Sequence, residues 1–190
     1  MSLITVADLR STLGVSSSLY NDAYLQDIID ASEGVLLPLL VANTSAITAY
    51  KLTNNVAYFY TKDAHNFVEG ESVVVTGVPS PFAATHTVKA VSTLVFTADL
   101  TNADVAVRPL IPQGKATLSG YGAATLYSGN PNVEKALIII SVEIFQSITA
   151  AGGQIEGIDF QSTPYRMGRG LMNRVVGLLG EHIDSGVWVG

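Results

Sequence analysis

Apolar side chains recur at three- and four-residue steps through Tyr24, Leu25, Ile28, Ile29, Val35, Leu36, Leu39 and Leu40, with Ser32 on the same stripe. That spacing predicts an amphipathic helix with one buried face, started by Asn21 or Asp22 and bent near its end by Pro38. Before it, Thr5 followed by Asp8 reads as an N-cap with an acidic partner three residues on, and Gly14 stops that short helix. Helical periodicity then disappears over residues 44–113. Four short runs rich in β-branched and aromatic residues replace it: Val56–Thr61, Ser72–Thr76, His86–Val91 and Leu94–Thr97. Gly70, Gly77, Pro79, Pro81 and Asn102 mark turns among them.

Helix returns after Gly120-Tyr121-Gly122. Asn130 is placed to cap and Pro131 to occupy the first helical position. From Val133 to Thr149 almost every face is apolar, which predicts a helix buried on all sides and ended by Gly152-Gly153. Ile155–Ser162 alternates like an extended arm, and Thr163-Pro164 opens a last helix reaching about Ile183. The first two helices have no apolar partner until the later one. The expected fold class is therefore α+β: a small helical bundle of about four helices, residues 1–43 plus 114–190, interrupted by an inserted antiparallel β-barrel-like domain over residues 44–113.

Composition adds a surface argument. Only 14% of the 190 residues are charged while 48% are hydrophobic, and mean hydropathy is +0.36. So little charge points to surface that partner subunits cover, or else to a well-packed monomer rich in Ser, Thr and Gly. The net charge of −6 speaks against a protein that grips phosphates, though not against one that DNA slides past. There is no cysteine, and no apolar run long enough to span a membrane, so a soluble protein made in the cytoplasm is expected.

The motifs of common chemistry are missing. His65, His86 and His182 are dispersed and read as ordinary structural residues. There is no Gly-x-Ser-x-Gly elbow and no Gly-rich phosphate loop followed by Lys. Asn43-Thr44-Ser45 matches a glycosylation acceptor only by chance without a secretion signal. Asp27, Asp30 and Glu33 could pair for acid–base work, but a solvated helix face explains them better. The expectation is no enzyme, no catalytic residue, no metal and no cofactor. Two features point instead to docking. Arg166, Arg169 and Arg174 gather at the last helix, either as an anion-docking patch or as a solvated face. Val187-Trp188-Val189 puts the only tryptophan in a seven-residue tail, either as an interface anchor or folded onto its own core.

The short helix, loop and longer helix ending Glu33-Gly34-Val35-Leu36-Leu37 resemble the head–tail connector (adaptor, head-completion) family of long-tailed bacteriophages. So does the block made by Asn130-Pro131, the apolar Val133–Phe145 helix, the Gly-Gly turn and the final helix with Leu171, Val175, Leu178 and Leu179. Inside the insertion, His65–Gly77 with His86–Val91 and Val95-Phe96-Thr97 is similar to a small β module recurrent in phage virion proteins. Family adaptors are usually shorter and all-helical, so the insertion is a departure.

The resemblance implies a virion protein at the head–tail interface. It implies a homo-oligomeric ring, commonly of about twelve copies, with closed cyclic symmetry. Such a ring docks on the portal, extends the DNA channel without binding DNA specifically, and offers a platform to a downstream connector, stopper or tail protein. The segment Ile183–Gly190 maps onto the part that often reaches the portal, making Val187, Trp188 and Val189 docking candidates. Residues 1–43 carry five acids against Arg10, so Asp27, Asp30 and Glu33 are candidates for an acidic lumen that repels phosphate. A tail-completion, tail-terminator or minor capsid protein is the alternative. A host- or carbohydrate-binding module using Tyr58, Phe59 and Tyr60 is a further one.

Overall fold

The computed structural model describes residues 2–152 and 169–184. It contains helices α1 (Val6–Leu13), α2 (Asp22–Leu36), α3 (Ala123–Leu126), α4 (Pro131–Gly152) and α5 (Arg169–Leu179). Its strands are β1 (Thr44–Thr53), β2 (Val56–Thr61), β3 (Ser72–Thr76), β4 (Thr85–Ser92), β5 (Val95–Asp99) and β6 (Val105–Leu118). The fold is α+β, and the chain divides into two compact units, residues 1–41 with 127–190 and residues 42–126.

In the helical unit, local chemistry sets the ends. Thr5 Oγ1 accepts from the Asp8 amide at 3.2 Å, and the Asp8 carboxylate accepts from the Thr5 amide at 2.9 Å, closing a capping box. Gly14 ends α1 in the left-handed region at φ 67°, where a side chain would be strained. Asn21 caps α2 through the Tyr24 amide at 2.8 Å, and Pro38 sits in a 3-10 turn, Leu37–Leu39, beyond it. Asn130 caps α4 from the Asn132 and Val133 amides.

Leu25, Ile28, Ile29, Ser32 and Leu36 of α2 are buried, facing Val133, Ala136, Leu137, Ile140, Ser141 and Phe145 of α4. Ser141 Oγ meets Ser32 Oγ at 2.9 Å, while Ser32 Oγ also donates to the Ile28 carbonyl, so both buried hydroxyls are satisfied. Tyr20 packs edge-on to Phe145 with centroids 4.9 Å apart, which ties the α1–α2 loop to α4.

The unit is not the small four-helix bundle expected above. Helix α4 is a hub that takes α1, α2 and α5, whereas α1 has only 8 residues and cannot form a full fourth side. Nor is α4 buried all round. Ile138, Ile139, Val142 and Ile144 are half-buried, and Ile148 is 48% exposed, because among the described residues α1, α2 and α5 cover only part of its circumference. Helix α5 lays Leu171, Val175 and Leu179 on α4 at four-residue steps. The expected arm Ile155–Ser162 and the start of the last helix at Thr163-Pro164 lie outside the described residues.

In the other unit six antiparallel strands close on themselves in the order β1-β2-β5-β4-β3-β6 and back to β1. Two of them, β1 and β6, were not expected from sequence, and the unit runs to Leu126 rather than residue 113 because β6 continues to Leu118 and α3 follows. The inner face stacks Phe59 on Phe96 with centroids 4.8 Å apart, and Phe67 and Phe82 close over it from the connections.

Closure depends on a close backbone approach. A Cβ on Gly114 would lie 2.8 Å from Val78 Cγ1 and 3.1 Å from the Thr76 carbonyl, so only glycine fits between β6 and the end of β3. Beside this point the ladder is irregular. Between the pairs Ala49–Pro109 and Ile47–Gly114, β1 advances two residues and β6 five. Three residues are thus extra on β6, which bulges at Leu110–Gln113. The Val105–Pro109 stretch pairs with β1 alone among the described residues, and Pro109 within it and Pro112 in the bulge bring no amide donor.

Candidate functional site

The acidic residues of α2 do not form one strip. Asp27 and Asp30 are exposed, with Asp30 accepting from Gln26 Nε2 at 2.7 Å. Glu33 is half-buried instead, and its Oε1 accepts from Ser2 Oγ at 2.6 Å and from the Leu3 amide at 2.7 Å. That contact holds down the N-terminal segment, where Leu3 and Ile4 are buried. Of the three lumen candidates, Glu33 therefore has a structural task, and Asp27 and Asp30 remain on the surface. Nearby, Asp22 is paired with Arg10, whose guanidinium also donates to the Tyr20 carbonyl at 2.9 Å. The Thr5 hydroxyl, and then its backbone amide, hold the Asp8 carboxyl below the ordinary aspartate value.

Of the three arginines, Arg174 is exposed on α5. Arg169 is described only as the first residue of that helix, and Arg166 lies outside the described residues, as do Val187, Trp188 and Val189. The arginines are thus not brought together as a patch by anything described.

Where the chain leaves the helical unit and returns to it, His182 forms a junction. Its carbonyl accepts from the Val41 amide at 2.9 Å, and Leu40 bridges Ile183. Its ring lies 5.2 Å from that of Tyr127, and Nε2 accepts from Asn130 Nδ2 at 3.2 Å, since Asn130 Oδ1 is committed to the cap. Burial pushes the Tyr127 phenol above its ordinary value. His86 is buried with Nε2 donating to the Phe82 carbonyl at 2.8 Å. His65 accepts from the Phe67 amide through Nδ1, and its ring stacks on Phe67. Among the described residues no group of three or more His, Cys, Asp or Glu is placed to hold a metal ion. Tyr58 and Tyr60 share the half-buried outer face of β2, with Lys51 Nζ 5.3 Å from the Tyr58 ring centroid, while Phe59 points into the core.

The surface feature that sequence reasoning missed is apolar. Ile111 on the β6 bulge is 95% exposed, and Val107 on the same strand is 54% exposed. Leu19 in the α1–α2 loop is 70% exposed, and Ile148 extends the open side of α4. Charge is also divided. The helical unit carries eleven acidic residues against five basic ones, and the β unit five against five, so the whole net charge of −6 belongs to the helical unit. No helix among the described residues is long and apolar enough to cross a membrane. Comparison with family models, curated proteins and solved structures finds nothing that matches this chain.

Proposed function

We propose that this chain is a structural subunit of a tailed-phage virion, not an enzyme, assembled as a homo-oligomeric ring at the head–tail interface. The ring docks on the portal, extends the DNA channel and presents a platform to the next connector or tail protein. The observation that carries the assembly reading is the exposure of large apolar side chains on both units of a chain with only 14% charged residues. The connector identity rests on the resemblance of the helical segments, which supply the host unit of this fold. Charge supports the channel: a helical unit that holds all of the net negative charge repels phosphate and gives DNA no adhesive track. Asp27 and Asp30 are the acids available for such a wall, and Val187, Trp188 and Val189 with Arg166, Arg169 and Arg174 remain the portal-docking candidates.

A closed sheet occupying residues 42–126 favours one second reading, a tail-completion or tail-terminator ring, since those are built on β-rich cores. Sedimentation of the purified chain with the portal ring of its phage tests the choice. Co-migration at several copies per portal is expected. Failure to bind the portal, with binding to tail tubes instead, moves the protein to the second reading.

A further inference from the structure

We infer that the outer face of the closed sheet, where β2, β1 and β6 lie side by side, binds single-stranded nucleic acid, with bases on Tyr58 and Tyr60 and phosphates on Lys51, Lys62 and Lys115. The inference stands apart from the ring reading and concerns the β unit alone. Strand register brings the face together. Side chains alternate between the two sides of a strand, and Ala57, Phe59 and Thr61 are buried inside, so Tyr58, Tyr60 and Lys62 turn outward. Beside them on β1, Lys51 pairs with Tyr58 and Ala49 with Tyr60, and the Lys62 amide donates to the Ala46 carbonyl at 2.9 Å. On its other side Ala46 pairs with Lys115 of β6. Lys62 and Lys115 thus flank one small residue, their backbones about 10 Å apart at two strand spacings.

Charge is sorted across this unit. It holds five basic residues against five acidic ones, yet Lys51, Lys62 and Lys115 take part in no ion pair among the described residues. Most of the acids lie elsewhere. Glu69 and Glu71 precede β3, Asp104 precedes β6 and accepts from the Asn54 amide, and Asp99 ends β5 in a pair with Lys89 at 2.6 Å. Only Asp63 borders the face, next to Lys62.

Three lysines and two tyrosines on one sheet face select the ligand. A neutral sugar would use the tyrosines and leave the lysines without partners. A duplex would meet the lysines but keep its bases stacked on one another, away from the tyrosines. A single strand uses both, since its bases stack on aromatic rings while cations follow its backbone. Tyr58 and Tyr60 stand two residues apart on one strand, about 6.6 Å, and offer two such rings side by side. Lys51 Nζ lies 5.3 Å from the Tyr58 ring centroid. A base that takes its place on that ring releases the ammonium to the adjoining phosphate.

Fluorescence anisotropy of the full chain with a labelled oligothymidylate of about sixteen nucleotides tests this. Binding is expected at about 50 mM salt, and log affinity should fall against log salt with a slope of about −2, as three lysine–phosphate contacts give. Replacing all three lysines (Lys51→Gln, Lys62→Gln and Lys115→Gln) should weaken binding by about tenfold or more and flatten the slope. Lys89→Gln, which removes the cation paired with Asp99, should change neither. Tyr60→Ala should cost about tenfold, and Tyr60→Phe should bind like wild type, because stacking needs the ring and not the hydroxyl. A duplex of the same length should bind about tenfold more weakly or worse. A wild-type chain that does not bind overturns the inference, as do lysine variants that bind like wild type or a Lys89→Gln loss as large as theirs. So does a duplex that binds as tightly as the single strand while Tyr60→Ala has no effect, since the face would then be a general polyanion surface.

Discussion

Removing the Glu33 carboxylate should loosen the N-terminal segment, and the size of the effect follows from its two hydrogen bonds. Oε1 accepts from Ser2 Oγ at 2.6 Å and from the Leu3 amide at 2.7 Å, with Leu3 6% and Ile4 5% exposed just beyond. A hydrogen bond to a charged group contributes about 1.5–3 kcal/mol net. Glu33 is only half-buried and the two bonds share one oxygen, so they do not add in full. Glu33→Ala is expected to cost about 2 kcal/mol, and Glu33→Gln about half that, because the amide oxygen still accepts one bond. Asp30→Ala, which loses only an exposed contact to Gln26, should stay within about 0.5 kcal/mol of wild type. Urea unfolding followed by far-ultraviolet circular dichroism measures the three, and hydrogen exchange at the Leu3 amide reports the local release. Glu33→Ala matching Asp30→Ala, with Leu3 protection unchanged, would refute the clamp and return Glu33 to the acidic surface.

Three further outcomes follow from the geometry. Gly114→Ala places a methyl 2.8 Å from Val78 Cγ1, and by the usual cost of overpacking it should destabilise the β unit by about 1–3 kcal/mol; calorimetry should show that transition moving while the helical one stays. Replacing residues 42–126 with a short Gly/Ser linker should leave a folded helical protein, because Val41 and Tyr127 both meet His182; an aggregate with no cooperative melt would contradict it. Asp8 has a lowered carboxyl pKa in the fold, so its stabilising effect is complete above the ordinary aspartate range and fades as pH drops through the lowered value. Protection of the α1 amides, measured against their intrinsic exchange rates, should therefore fall below about pH 4 in wild type, more than in Asp8→Asn, which has no charge left to lose.

What the sequence made legible were the features that depend on near neighbours. The Thr5–Asp8 box, the Asn21 and Asn130 caps and the Leu25–Leu36 stripe follow from contacts three or four residues away, and the structure contains them. Strand β1 was missed because small residues blur its alternation. Strand β6 was missed because Pro109, Pro112 and Gly114 read as breaks, when they mark an open edge, a bulge and a close backbone approach. One local signal was available: Asn54 and Asn55, both at positive φ, form the tight turn that joins β1 to β2.

The apolar girth of α4 was visible, but periodicity tells which residues are apolar and not how many neighbours one chain provides. Glu33 resembled its fellow acids because its partners, Ser2 and Leu3, lie about thirty residues away. Ile111 sat in an unremarkable Leu-Ile-Pro run, and it is exposed in the bulge where the pairing of β6 with β1 is interrupted.

The central claim is a subunit ring at the head–tail interface, and cryo-electron microscopy of virions, or of the chain bound to its portal, tests it most directly. The account predicts density for several copies arranged about the channel axis beneath the portal, with the acidic helical units nearest the DNA path. A single copy per particle, or density only at the distal end of the tail, would contradict it.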